Sequence, residues 1–393
     1  MVQVAGALLF VLIAGTAIFI RAYGQRPTAA LSPSVSPSLS ATPSATAAES
    51  TASPTPTATP TVPDSSPSAT PSPTPEPSLP AGWVPHAIDM AIAYDEAHGY
   101  TLLLTLELVP PPPGTADGVL RAVSATWKWD GSRWTLLHPA VSPPNMGGPT
   151  VTFSNMVYDA ALHEVVVMAR TGTTSSNKTI TTWGWDGVTW KDLQMTPMLS
   201  PDAADNYLAF DRAHSQLVLL QSTAYAGTTQ TWTGQGSTWT RRTPVTQPTG
   251  PPIGGGIAYD PRSSTVLVFG GTDGMGASNV NQTWSWDGAT WKHFQPVARP
   301  AGGYATLAYD AANRQMVLFE AALVPGRSDT RTTSTWTWDG ANWTPVPAGG
   351  GPAFGGHMAY DPARRELIMV GYTGEMFGVM STWTYTGGQW QRA

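Results

Sequence analysis

The chain has 393 residues and a net charge of −6, and only 12% of its positions are charged. Arg241–Arg242 and Arg364–Arg365 are its densest basic spots, so it lacks the basic stripe that displaces counterions from phosphates, and nucleic acid is excluded as a partner. It has no cysteine, which removes disulfides, thiolate metal sites and cysteine nucleophiles together, while 39 Gly, 37 Pro and 17 Trp point to an all-β chain of many short strands.

From the N-terminus, Val4 to Ile20 is uncharged and rich in Ala, Leu, Val and Ile. With Met1 to Gln3 it spans about 30 Å as a helix, roughly one hydrocarbon core. No basic side chain precedes it and no A-x-A site follows, so residues 1–22 are expected to form an uncleaved transmembrane anchor rather than a cleaved signal. Arg21 and Arg26 oppose export under the positive-inside rule, but the next segment outweighs them. Residues 23–80 are dominated by Pro, Ser, Thr and Ala. Too few apolar groups are present to offset the entropy of ordering, and the prolines favour an extended stalk. Such stalks hold a domain clear of a membrane or through a cell wall. The expected location of the remainder, residues 81–393, is therefore extracytoplasmic and membrane-anchored.

In that remainder two motifs alternate six times. The first ends in an aromatic–Asp pair: Tyr94-Asp95, Tyr158-Asp159, Phe210-Asp211, Tyr259-Asp260, Tyr309-Asp310 and Tyr360-Asp361. After a first interval of 64 residues, these Asp recur at 52, 49, 50 and 51, the signature of a repeat architecture. The second motif, T-W-x-W-D-G-x-x-W, is complete at Thr126–Trp134, Thr182–Trp190, Thr283–Trp291 and Thr335–Trp343. It decays at Thr231–Trp239, where Gly234 and Gln235 replace Trp-Asp, and at Thr382–Trp390, where Tyr385 and Thr386 do. The outer Trp pair keeps its seven-residue spacing throughout, and all Trp but Trp83 belong to the motif.

Each unit reads as four antiparallel strands. Strand a ends at the aromatic–Asp pair, whose Asp starts a tight turn. Strand b, such as Val266 to Phe269, is apolar without alternation, so both its faces are buried. Strand c holds T-W-x-W, Asp-Gly makes a hairpin turn, and strand d carries the last Trp. Six such units predict an all-β, six-bladed propeller of four-stranded blades over residues 81–393. Each copy is expected to own its four strands, with Trp83 as a remnant at the seam.

The units resemble Kelch repeats, with Gly270-Gly271 closing one strand b and the spaced Trp pair downstream. Five copies lack the double glycine, which distances the chain from eukaryotic Kelch adaptors. The resemblance implies a six- or seven-bladed propeller. The galactose-oxidase type needs a Tyr–Cys link beside copper, and no Cys exists here. No cofactor and no metal are expected.

The b–c and d–a connections vary in length and emerge on one face, where loops on a rigid scaffold carry function. Candidate ligand-binding side chains there are His138, Asn145, Tyr225, Met275, Tyr304, Phe354, His357 and Phe377. The ten repeated Asp are read as turn caps, the Trp as inter-blade core, and His98, His163 and His214 as solvated turn residues. The S-x-D-x-G-x-x-W turn of sialidases is missed by one residue, as in Asp287-Gly288-Ala289-Thr290-Trp291. H-E-x-x-H, G-x-S-x-G and P-loop patterns are absent. The expected function is a binding or scaffold module for a surface protein or polysaccharide. The alternative is a carbohydrate-active propeller enzyme using Glu107, Asp117, Asp273, Glu320 or Glu375 as loop carboxylates.

Overall fold

A computed structural model of the chain describes residues 83–84, 87–109, 121–144, 152–171, 179–200, 203–223, 228–249, 254–272, 279–324, 327–347, 349–372 and 380–393. The anchor and stalk segments lie outside these residues. Six antiparallel sheets follow in chain order, each with the strand order a-b-c-d expected from the repeats. Blade 3 is typical, with strands Ala203–Asp211, Gln216–Thr223, Thr229–Gln235 and Thr238–Arg242. The other innermost strands are Asp89–Asp95 in blade 1, Gly256–Asp260 in blade 4, Tyr304–Asp310 in blade 5 and Gly356–Asp361 in blade 6. In blade 2 the innermost strand is broken into Thr152–Phe153 and Val157–Asp159, because the pairing of Phe153 with Ala169 leaves one extra residue before Val157 meets Val166.

Strand b is buried on both faces, as its unalternating sequence requires: every residue of Glu164–Thr171 is buried. All ten repeated Asp cap their own turns. Asp95 accepts the Ala97 and His98 amides, Asp260 that of Arg262, and Asp130 those of Ser132 and Arg133. The other seven do the same two residues on. The a–b turns also reach the next blade. His98 bonds Asp95 and packs over Gly187, and His214 bonds Asp211 and packs over Gly288. A Cβ on either glycine would sit within 2.4 Å of the imidazole, a second reason for glycine beyond its left-handed φ.

The constancy of Thr and of the outer Trp has one cause. The last Trp of each motif donates its indole N–H to the motif Thr of the preceding blade. Trp190 bonds Thr126, Trp291 bonds Thr231, Trp343 bonds Thr283 and Trp390 bonds Thr335, at 2.8–2.9 Å. Trp134 bonds Thr382 at 2.8 Å and so joins the first blade to the last. Blade 3 departs from this. Gly234 stands opposite Trp239 where other blades carry an aromatic, and a Cβ there would lie 2.8 Å from the indole. Trp239 leans into that space, and its buried N–H has no partner.

Closure uses more than side chains. Trp83–Val84 adds to strand c of blade 6, pairing with Ser381 and Met380. Each copy does own four strands, and this short segment supplements the last sheet. Beside it, Tyr372 donates to the Ala87 carbonyl at 3.0 Å, and Met90, Trp129 and Trp134 share a core with Ile368, Val370 and Met380.

Candidate functional site

The innermost strands of all six blades line one cavity of ≈ 250 Å³ on the ring axis. Its a–b end is walled by the repeated aromatics, five Tyr and Phe210, and rimmed by Glu96 and Arg212, which form an ion pair from blade 1 to blade 3. Its d–a end is different, because there the repeat breaks its own symmetry. Six residues before the repeated Asp stand Asp89, Asp205, Gly254, Tyr304 and Gly355 in blades 1, 3, 4, 5 and 6. Four residues before it stand Ala91, Tyr207, Gly256, Thr306 and His357. Strand geometry puts both positions on one face of strand a, and of these residues Asp205, Tyr207, Gly256, Thr306 and His357 line the cavity.

Asp205 is the centre of this group. Its Oδ2 accepts the Tyr207 hydroxyl at 2.6 Å and the Gly254 amide, from the next blade, at 2.8 Å. Its Oδ1 is buried and has no hydrogen-bond partner among the described residues. Asp205 and Tyr207 both line the cavity. Burial pushes the Asp205 carboxyl up to about 8, against the bonds from Tyr207 and Gly254 and the charge of Arg170, and with help from Asp89. At neutral pH the group therefore holds its proton. Asp89 is pushed up to about 7 by the same burial, opposed by bonds from Phe153 and Met90. Both of its oxygens are engaged, with the Met90 amide at 2.9 Å and the Phe153 amide at 2.7 Å. Arg170 comes in from strand b of blade 2 and donates to the Ala203 carbonyl at 2.9 Å. Its charge faces both acids.

Gly254 is where blades 3, 4 and 5 meet. Its φ is +76°, and a Cβ there would lie 2.3 Å from Cδ1 of Tyr304. The Tyr304 ring thus rests on the residue whose amide binds Asp205. The Arg331 guanidinium covers that ring, 4.4 Å from its centroid.

Of the side chains expected from sequence, His357 lines the cavity and is half-buried. Burial pushes its imidazole down to about 4, so it is neutral at physiological pH. Tyr304 is buried between Gly254 and Arg331. Phe354 packs instead on the seam between blades 6 and 1. His138 is exposed just beyond strand d of blade 1. Asn145, Tyr225, Met275 and Phe377 lie outside the described residues, as do Asp117, Asp273 and Glu375.

Glu107 and Glu320 require a correction. Both were expected in b–c loops, but strands b extend through them, over Tyr100–Val109 and Gln315–Val324. Glu320 is consumed by structure, accepting the Ala301 and Gly302 amides and the Ser334 hydroxyl. Glu107 accepts the Thr105 hydroxyl at 3.1 Å. Neither lines the cavity. Among the described residues no His, Asp and Glu gather as a metal-holding group.

No family model matches the sequence, and no curated protein matches it. Among solved structures, an arginine-to-alanine mutant of AofleA from Arthrobotrys oligospora is similar at 14% identity and TM-score 0.48, over 77% of this chain and 84% of that one. A GH43 β1,3-galactosidase in complex with galactodeoxynojirimycin is similar at 12% identity and TM-score 0.43, over 65% and 92%. Trypanosoma rangeli sialidase is similar at 10% identity and TM-score 0.45, over 80% of this chain and 54% of its own, so the chain spans about half of that enzyme.

Proposed function

We propose that this chain is a carbohydrate-active propeller enzyme, working at the d–a end of its axial cavity with Asp205 as the proton donor. One observation carries the proposal: a carboxyl on the cavity wall that keeps its proton at neutral pH and has one oxygen without a partner. A raised acid in a concavity is how proton donors to a leaving group are made. In glycoside cleavage, Asp205 gives its proton to the bridging oxygen as the anomeric C–O bond breaks. Water adds to the anomeric carbon and releases a proton, and Asp205 is reprotonated from solvent. Hydroxyl, amide and aromatic groups from Asn206, Tyr207 and Thr306 also line the cavity, and they match the alternating polar and C–H surfaces of a sugar. At ≈ 250 Å³ the cavity falls below the roughly 300–1,000 Å³ of drug-sized sites, which suits a single terminal sugar unit.

A second reading, the binding or scaffold module, is favoured by Asp89. Its two engaged oxygens leave Asp205 without an open carboxylate partner to activate water. The likeness to Kelch repeats, the membrane anchor, the stalk and an extracytoplasmic setting belong to both readings, supported by the repeat motifs and the composition of residues 1–80.

The test is a screen of the purified full chain against aryl glycosides and envelope polysaccharides, with Asp205→Asn beside it. Turnover by the wild type, lost in the variant with binding kept, supports the enzyme. Saturable binding by both proteins without turnover supports the module. Turnover undiminished in the variant rules out Asp205.

A further inference from the structure

A second cavity, of ≈ 260 Å³, lies away from the ring axis between blades 2 and 3. It sits where the chain of Trp–Thr latches is broken. By the pattern of the other five blades, Trp239 should donate its indole N–H to Thr182 of blade 2. It does not. The Trp239 N–H is buried without a partner, and the Thr182 hydroxyl makes no hydrogen bond among the described residues. The two residues are 2% and 3% exposed, and both line the cavity. The gap in the latch is thus part of the cavity wall.

The rest of the wall is largely apolar, and backbone bonds fix it to both blades. The Thr182 carbonyl accepts the Leu193 amide at 2.8 Å, the Ser237 carbonyl accepts the Thr196 amide at 2.9 Å, and the Thr196 carbonyl accepts the Trp239 amide at 2.7 Å. The strap held in this way contributes Met195, Pro197, Met198 and Leu199 to a lining that Ile180 and the indole complete. Other polar side chains there are already engaged. Thr181 accepts the Trp183 indole at 2.9 Å, and Asp192 accepts the Gln194 amide at 2.8 Å. Asp192 is the one charged residue in the lining, so an anion is disfavoured. Apolar cavities of about 150 Å³ already take up benzene, so this one has room for a ring with a small substituent.

We infer that this cavity is a ligand site for a small neutral molecule with one carbonyl oxygen on an apolar body. A carbonyl oxygen has two lone pairs, so it can accept from the Trp239 N–H and the Thr182 O–H together, while the body fills the space among the methionines, Ile180 and Leu199. A buried donor without a partner favours the ligand that supplies its acceptor. The bound molecule stands in for the missing latch and joins blades 2 and 3 as the Trp–Thr bonds join the others. The site is separate from the axial cavity and depends on neither reading given above.

The experiment is NMR of the full chain in detergent, isotope-labelled at the tryptophan nitrogens. It is titrated with cyclohexanone and with methylenecyclohexane, which has the same shape and no oxygen. Trp239→Phe assigns the indole signal. Cyclohexanone is expected to move that signal downfield to saturation, and methylenecyclohexane to give no downfield shift. Thr182→Val, which keeps the side-chain shape and removes the hydroxyl, is expected to weaken ketone binding by about threefold to tenfold. The ketone should also raise the denaturation midpoint of the wild type, because it binds only the folded chain. A Trp239 signal unmoved by the ketone, an equal downfield shift with methylenecyclohexane, an affinity unchanged in Thr182→Val, or an unmoved midpoint at saturation overturns the inference.

Discussion

Replacing Asp205 by Asn should change how stability depends on pH, in a window where few other groups titrate. The folded-state value of Asp205 is about 8 against an ordinary 3.8, and that of Asp89 is about 7. A carboxyl raised on folding makes the unfolded chain the weaker proton binder, so stability is fullest at low pH and is lost as pH climbs through the folded value. His357, lowered to about 4 from an ordinary 6.5, is neutral when folded but half protonated at pH 6.5 when unfolded, so it adds back about 0.4 kcal/mol as pH rises from 6.5, equally in wild type and variant. From pH 6.5 to 9, at about 1.4 kcal/mol per pH unit for each group until it ionises, Asp205 accounts for a loss of about 2 kcal/mol and Asp89 for about 0.7 kcal/mol. Wild type should therefore lose a net of about 2 kcal/mol across that window, and Asp205→Asn under 1 kcal/mol. Against a total stability of about 5–15 kcal/mol, this is readily measured by urea denaturation at pH 6.5, 7.5 and 9. A flat wild-type profile, or an equal loss in the variant, would show that Asp205 is ionised at neutral pH and would remove the basis for its role as a proton donor.

The blade latches supply an internal control. Trp134→Phe loses apolar area and the bond to Thr382, about 2 kcal/mol in all, whereas Trp239→Phe also relieves an unsatisfied N–H and should be near neutral; equal losses in denaturant melts would contradict the latch. Gly254→Ala combines a left-handed φ of +76° with a Cβ 2.3 Å from the Tyr304 ring. It should destabilise by about 1–3 kcal/mol, read from denaturant melts, and an unchanged midpoint would contradict the close contact with the ring.

The sequence by itself determined the architecture, because a propeller blade is a local object. Turn chemistry at Asp-Gly, the unalternating strand b and the Trp spacing all act within about fifty residues, and six copies made the period plain. The ten Asp caps and the burial of strand b were legible for the same reason. The site was less so. His357 and Tyr304 were marked as variable-face side chains, but Asp89, Arg170, Asp205, Tyr207 and Arg331 were passed over, since a polar residue near a strand end looks ordinary. Comparing the six copies position by position would have found Asp89 and Asp205, which stand at one offset from the repeated Asp where other blades carry Tyr or Gly. Glu107 and Glu320 misled because the end of strand b cannot be read from composition when polar residues continue the pairing.

Only the tertiary structure decided what these groups are. Asp205 owes its proton to burial, against the bond from Gly254, 49 residues on in the next blade, and Arg331 lies over a tyrosine from a different strand of its blade. The electrostatic character of a carboxyl depends on how much water its neighbours exclude. Those neighbours are set by ring closure, through Trp134 on Thr382 and Trp83–Val84 on blade 6, which no single repeat contains.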